Sequence, residues 1–84
     1  MNKKYTVYIL QSIKFENKYY TGHTNKSLED RLWEHNQGMS KYTKAYTPWK
    51  IKTYIVFDNE KRAIEFEYYL KTGSGKAFRN KRFI

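Results

Sequence analysis

Runs of apolar and β-branched residues mark three segments of the chain as strands. The run YTVYILQS (5–12) is mostly apolar, and the β-rich run YYTGH (19–23) follows it after a short polar segment. Two such runs at this separation predict an antiparallel hairpin. A third run, KIKTYIVF (50–57), predicts another strand. The pattern therefore predicts a small antiparallel sheet of three strands.

Helical spacing appears between the second and third strands. Ser27 followed three residues later by Asp30 resembles a capping box, and Leu28 and Leu32 then share one face of a helix that ends near Asn36. Residues 38–49, which contain the only proline, are predicted to form a loop.

The last third of the chain is also predicted to be helical. Asp58 or Asn59 can cap a helix from about Glu60 to Lys71, and the tail 75–84 predicts a short third helix. The element order is then ββαβα(α), an α+β fold in which helices flank the sheet. At 84 residues the chain is expected to form a single domain over 1–84.

Charge and cysteine content limit the functional classes. Seventeen Lys and Arg against eight Asp and Glu give a formal charge of +9, which favours polyanionic partners such as nucleic acid. The absence of cysteine excludes disulfides, thiol nucleophiles and cysteine metal sites. No apolar run is long enough to span a bilayer. These features predict a soluble cytoplasmic protein without a membrane partner.

The basic residues are concentrated in two segments without acids. One runs from 36 to 57, where lysines alternate with aromatic residues, and the other runs from 71 to the end. Such a pattern suits a surface that neutralises phosphates and stacks on bases, although solvated loops of a basic protein would look the same. The candidates for binding nucleic acid are Lys41, Lys44, Lys71, Lys76 and Arg79.

One acidic residue lies on the wrong face of its helix. At about 100° per residue, Glu67 falls within the apolar stripe formed by Ala63, Phe66 and Leu70, whereas Glu65 falls on the polar side. An unpaired buried carboxylate is costly, so Glu67 needs a partner. The partner is either a basic residue in an ion pair or a divalent metal ion.

Four other polar residues form two candidate pairs. Arg31 and His35 lie four residues apart on the first helix and so project from the same side. Tyr8 and Tyr20 lie on the paired strands, where their hydroxyls can reach one face of the sheet.

In chain order these residues resemble the motifs of the GIY-YIG nuclease superfamily. The segments are VYIL with Tyr8, YYTG with Tyr20 and Gly22, RLWEH with Arg31 and His35, and IEFEYYLK with Glu67. The resemblance extends over roughly 5–82 and is specifically to small stand-alone bacterial members, similar to the N-terminal domain of the excision-repair incision nuclease.

The correspondence has departures. Thr6 and Val7 replace the glycine and isoleucine of the first motif, and Thr21 replaces the isoleucine of the second. His23 stands where the repair nucleases often have lysine, and Asn80 matches their late asparagine by position only.

The resemblance implies hydrolysis of a phosphodiester by water with one divalent cation, Mg²⁺ or Mn²⁺. Glu67 would bind the metal and Arg31 the phosphate oxygens. Tyr20 would take the proton from water and Tyr8 would orient it, or the two roles would be exchanged. His35 would assist in proton transfer, and Gly22 and His23 would lie against the nucleic acid.

Three functions are consistent with the sequence. The first is a metal-dependent endonuclease acting on DNA in repair or processing, with RNA as an open alternative substrate. The second is a nucleic-acid-binding module that keeps the nuclease fold without useful catalysis. The third is a subunit that docks on an acidic protein. The oligomeric state is open at this stage.

Overall fold

Three antiparallel strands form the centre of the protein. The computed structural model describes residues 3–84. Strands β1 (Tyr5–Ser12), β2 (Tyr19–Thr24) and β3 (Trp49–Phe57) form one sheet in the order β2-β1-β3. The predicted sheet and its α+β class are confirmed.

Four helices accompany the sheet. They are α1 (Leu28–Asn36), α2 (Lys41–Ala45), α3 (Glu60–Leu70) and α4 (Gly73–Arg82). The caps follow from the sequence, because the side chains of Ser27, Asn59 and Thr72 each accept a hydrogen bond from the backbone N–H three residues later. The predicted helices at 28–36, 60–71 and in the tail are therefore present.

The predicted loop at 38–49 was wrong in one part, because it contains α2. Ser40 caps this short helix by accepting a hydrogen bond from the backbone N–H of Thr43. The indole Nε1 of Trp49 donates to the Thr43 carbonyl at 2.8 Å. A five-residue helix is marginal by itself, so this contact from β3 contributes to its stability. The element order is ββααβαα, and Lys41 and Lys44 lie on a helix rather than a loop.

Both faces of the central strand are covered, and this determines where the site forms. Val7 and Ile9 point to one face of β1 and pack with Ala63 and Leu70 of α3. On the other face Tyr8, Leu10 and Trp49 form a second buried cluster, against which Leu28 and Leu32 of α1 pack. Tyr8 thus lies in the core beneath α1, directly opposite Gly22 of β2.

No helix in residues 3–84 has the length and apolar character needed to cross a membrane.

Candidate active site

The hydroxyl of Tyr8 is the central atom of a buried polar group. Tyr8 is only 1% exposed. Its hydroxyl accepts a hydrogen bond from Arg31 Nε at 3.1 Å and lies 2.9 Å from His35 Nε2. Arg31 and His35 are one turn apart on α1, so the helix places both over the same phenol. The structure therefore brings together three of the predicted residues.

Proton positions in this group follow from counting unsatisfied atoms. His35 is 1% exposed, and its Nδ1 has no hydrogen-bond partner among the described residues. If Tyr8 donates to Nε2, only the N–H at Nδ1 is left without a partner. If Nε2 donates to Tyr8, both the phenol O–H and the Nδ1 lone pair are left without partners. Each buried unsatisfied group costs about 1–3 kcal/mol. The first arrangement is favoured, so Tyr8 donates to a neutral His35.

Burial sets the protonation states. It raises the pKa of Tyr8 to about 12, a shift that the Arg31 guanidinium opposes and the charges of Tyr20 and Glu67 reinforce. Burial also lowers the pKa of His35, and the nearby Arg31 charge lowers it further. At neutral pH the group therefore holds a protonated phenol, a neutral imidazole and a charged guanidinium.

Arg31 is fixed by a residue that the sequence interpretation missed. Its Nη1 donates to Glu34 Oε1 at 3.0 Å, and Lys26 donates to the other oxygen of the same carboxylate at 2.9 Å. Burial acts to lower the pKa of Arg31, but its hydrogen bonds to Tyr8 and Glu34 raise it. Within residues 3–84, the Nη2 group of Arg31 makes no hydrogen bond. The i,i+3 spacing of Arg31 and Glu34 was the signal that could have indicated this pair.

Tyr20 lies beside this group and is less enclosed. Its ring centroid is 6.4 Å from that of Tyr8 and 4.7 Å from that of His35. Tyr20 is half-buried, and its hydroxyl makes no hydrogen bond within the described part of the chain. The two tyrosines share one face of the hairpin, as the pairing predicts.

Gly22 is needed for this arrangement. A Cβ atom at this position would lie 2.6 Å from the Tyr8 hydroxyl oxygen and 3.0 Å from Tyr20 Cε2. The volume that a side chain would take is therefore filled by Tyr8. This is a steric role different from the predicted one, in which the glycine leaves room for the nucleic acid.

Glu67 reaches the site from α3. Its side chain is 15% exposed, which agrees with its predicted position on the inward face. Oε1 is hydrogen-bonded to His23 Nδ1, and Oε2 accepts from Lys71 Nζ at 2.6 Å. Burial alone would raise the pKa of Glu67, but the hydrogen bonds from Lys71 and His23 hold it below the usual value. The carboxylate is ionised and in contact with a cationic side chain.

The comparison with protein families decides the classification. Residues 4–82 match the family described as the GIY-YIG catalytic domain. The chain belongs to the GIY-YIG nuclease family. Its predicted membership is confirmed.

Relatives of this GIY-YIG protein are small bacterial proteins named UPF0213. One from Clostridium perfringens is 41% identical over 66 residues, which are 77% of this chain and 68% of that protein. One from Bacillus cereus is 43% identical over 58 residues, 67% of this chain and 58% of that protein. The YsiG protein of Lactococcus lactis is 40% identical over 84% of this chain and 65% of its own length. The chain thus matches only about three fifths to two thirds of these relatives.

A solved structure supports the fold assignment. The solution NMR structure of a UPF0213 protein from Bacillus halodurans matches with a TM-score of 0.55 and 25% identity, covering 95% of this chain and 86% of that chain.

The remaining predicted residues of this GIY-YIG protein lie on β2, along one cleft, on α2 and on α4. His23 is on β2 and contacts Glu67. Lys71, Lys76 and Arg79 line one cleft beside β2. Lys41 and Lys44 lie on α2 and do not line that cleft, and the stem of Lys44 is next to Gly38. On α4, Asn80 Oδ1 accepts hydrogen bonds from its neighbour Arg79.

Proposed function

We propose that this GIY-YIG protein is a divalent-metal-dependent endonuclease that hydrolyses phosphodiester bonds in DNA. In this proposal it acts in the cytoplasm, in DNA repair or processing, and residues 1–84 form a single domain. The observation that carries the proposal is the buried Tyr8 hydroxyl, which contacts both Arg31 and His35. This group has a second phenol, Tyr20, at its side. A positively charged hydrogen-bond donor, Arg31, thus lies beside two phenols and an imidazole.

Glu67 is the residue that fits a metal ion. No group of three His, Asp or Glu side chains in the described residues is placed to hold an ion. Mg²⁺ accepts one carboxylate if waters and a substrate phosphate complete its coordination, so a single ionised glutamate suits it, or the similar Mn²⁺. Lys71 already places a positive charge 2.6 Å from this carboxylate. When bound, the ion would neutralise charge on the phosphate and the leaving oxygen.

Tyr20 is the better candidate for the general base. The Tyr8 phenol is enclosed, donates to His35 and has a pKa of about 12, so it is poorly placed to accept a proton. Tyr20 is half-buried, and its hydroxyl has no hydrogen-bond partner within residues 3–84, so it would be available to an attacking water. Tyr8 then acts as the positioning residue, because it orients Arg31 and His35. The neutral imidazole of His35 accepts the hydrogen bond of the Tyr8 hydroxyl and so keeps this phenol in place.

Arg31 would stabilise charge on the phosphate. Its Nε and Nη1 are used by Tyr8 and Glu34, which hold the guanidinium in place and leave Nη2 able to donate to a substrate oxygen. A preorganised donor of this kind is typically worth about 10²–10³ in rate. The basic residues of the chain, with a formal charge of +9, would attract the DNA backbone.

Cleavage assays with substitutions of Glu67 and Arg31 test the function. Purified protein is incubated with branched, nicked and single-stranded DNA in Mg²⁺, Mn²⁺ or a chelator. We expect discrete products only with metal, and a loss of about 10²-fold or more in Glu67→Ala and Arg31→Ala with the fold retained by circular dichroism. Glu65→Ala, an exposed acid on the same helix, is the matched control for Glu67. Cleavage by Glu67→Ala or Arg31→Ala at the parental rate would contradict these roles.

One observation favours a second candidate function, a nucleic-acid-binding module without useful catalysis. Both carboxylate oxygens of Glu67 are engaged, by His23 and by Lys71. If these contacts persist when DNA is present, a metal ion would have to bind an oxygen that already accepts a hydrogen bond, next to the positive charge of Lys71. Tight DNA binding with no cleavage in any metal would support this second function.

A further inference from the structure

A basic cleft runs along the outer edge of β2. Its volume is about 370 Å³, within the range of sites that bind small molecules. Its walls include three tyrosines and four basic side chains, and none of its lining residues is acidic. The basic residues are Lys18, Lys71, Lys76 and Arg79.

The tyrosines of this β2 cleft are held in place. The hydroxyl of Tyr42 donates to the backbone carbonyl of Tyr19 at 3.0 Å, and its ring lies 6.2 Å from the ring of Tyr20. The guanidinium of Arg79 lies 5.3 Å from the centroid of the Tyr19 ring. Tyr42 is nevertheless 42% exposed. Aromatic surface is thus available in an ordered position.

The β2 cleft is continuous with the candidate active site. Lys71 lines the cleft and also contacts Glu67, with Nζ 2.6 Å from Oε2. Tyr20 lines the cleft and also lies against the ring of His35. A group bound in the cleft would therefore be next to the phosphate that is cleaved.

We propose that the β2 cleft binds an unpaired nucleotide adjacent to the scissile phosphate, so that the substrate of this protein is single-stranded nucleic acid or a single-stranded segment. The location of the scissile phosphate in this statement rests on the proposed nuclease function. The phosphates would contact the lysines and Arg79, and the base would stack on Tyr42.

The aromatic walls are what distinguish a single strand from a duplex. In a duplex the faces of the bases are covered by their neighbours, and only the phosphates and groove edges are accessible to the protein. Lysines alone would be enough to bind the phosphates of a duplex. Tyrosine rings among the cations add binding energy only for a base whose face is free, as in proteins that bind single strands.

Binding in a chelator tests the proposal without cleavage. The probes are a fluorescein-labelled DNA 12-mer and its duplex, and anisotropy gives both dissociation constants. We expect Tyr42→Leu to weaken single-strand binding about fivefold or more while duplex binding changes less than twofold. Tyr42→Phe, which keeps the ring but loses the hydrogen bond to Tyr19, should bind single strands more tightly than Tyr42→Leu. Tyr54→Leu is the control, because Tyr54 is 57% exposed on β3 at the other edge of the sheet.

A second pair of variants keeps the test valid if Tyr42→Leu is unstable. Lys76→Glu on α4 and Lys52→Glu on β3 change the net charge equally at exposed positions, but only Lys76 lines the cleft. We expect Lys76→Glu to weaken single-strand binding more than Lys52→Glu.

The results separate this proposal from the nuclease function. The cleft proposal would be overturned by equal effects of the two charge reversals. It would also be overturned if Tyr42→Leu bound single strands like the parent, or lost duplex binding to the same extent as single-strand binding. Either result would count even if metal-dependent cleavage were observed. Selective single-strand binding that depends on Tyr42, in a protein that cuts no DNA, would instead leave the cleft proposal standing and overturn the nuclease function.

Discussion

Replacing Gly22 with alanine should disrupt the site by displacing Tyr8. Gly22 pairs with Tyr8 across β1 and β2. The new methyl group would lie 2.6 Å from the Tyr8 hydroxyl oxygen and 2.8 Å from Cζ, well inside the 3.4 Å at which ordinary contact begins. Tyr8 is 1% exposed and bonded to Arg31 and His35, so its ring has little room to move. We therefore expect the variant to lose both stability and activity.

The size of the loss can be worked from these contacts. Overpacking a filled core costs about 1–3 kcal/mol, and each buried partner left without its hydrogen bond costs about 1–3 kcal/mol. Partial relaxation makes a combined loss of about 2–4 kcal/mol reasonable for Gly22→Ala. For a domain of this size such a loss lowers Tm by roughly 10–30 °C.

Urea and thermal unfolding followed by circular dichroism measure this loss. Gly73→Ala is the matched control, because a Cβ atom at Gly73 meets no atom within 4 Å and the residue begins α4. A Gly22→Ala variant as stable as Gly73→Ala would refute the steric reasoning. If that stable variant had also lost cleavage, the role predicted from the sequence, room for the nucleic acid, would be the correct one.

Two further predictions concern the proton-transfer groups. Tyr20→Phe should lose about 10²-fold or more in cleavage with little change in the free energy of unfolding, because its hydroxyl has no partner within the described residues. Tyr8→Phe should lose both activity and about 1–3 kcal/mol of stability. Equal stability losses in the two variants would contradict the assigned roles. The pKa of the His35 imidazole is lowered in the folded protein, so as the pH falls the unfolded chain takes up a proton at His35 before the folded protein does. The free energy of unfolding should therefore fall as the pH drops below about 6.5. His35→Gln should flatten the dependence of the free energy of unfolding on pH between 7 and 5, measured by urea titration, and parallel profiles would show that His35 does not titrate in this way.

Local patterns were sufficient for most of the fold. Strand and helix periodicity and the capping residues Ser27 and Asn59 depend on neighbours a few residues away, so they are readable from the chain. The helix α2 was not readable in this way. Its stability depends partly on the indole of Trp49, which arrives from β3 and hydrogen-bonds to Thr43.

The candidate site divides in the same manner. The position of Glu67 within an apolar stripe and the spacing of Arg31 and His35 were visible in the sequence. Their partners from distant segments were not, since His23 is 44 residues from Glu67 and Tyr8 is 27 residues from His35.

By itself the sequence determined the sheet, the main helices, the excess of positive charge and the family motifs, because each of these depends on composition or on short-range periodicity. Only the tertiary structure decided that the volume beside Gly22 is filled by the Tyr8 phenol, that Glu67 contacts His23, and that tyrosines and basic residues line one cleft beside β2. Burial raises the pKa of Tyr8 to about 12, and the proposed function therefore assigns the general base to Tyr20. Packing between distant segments sets the solvation of each polar group and its long-range partners, and no local pattern encodes these.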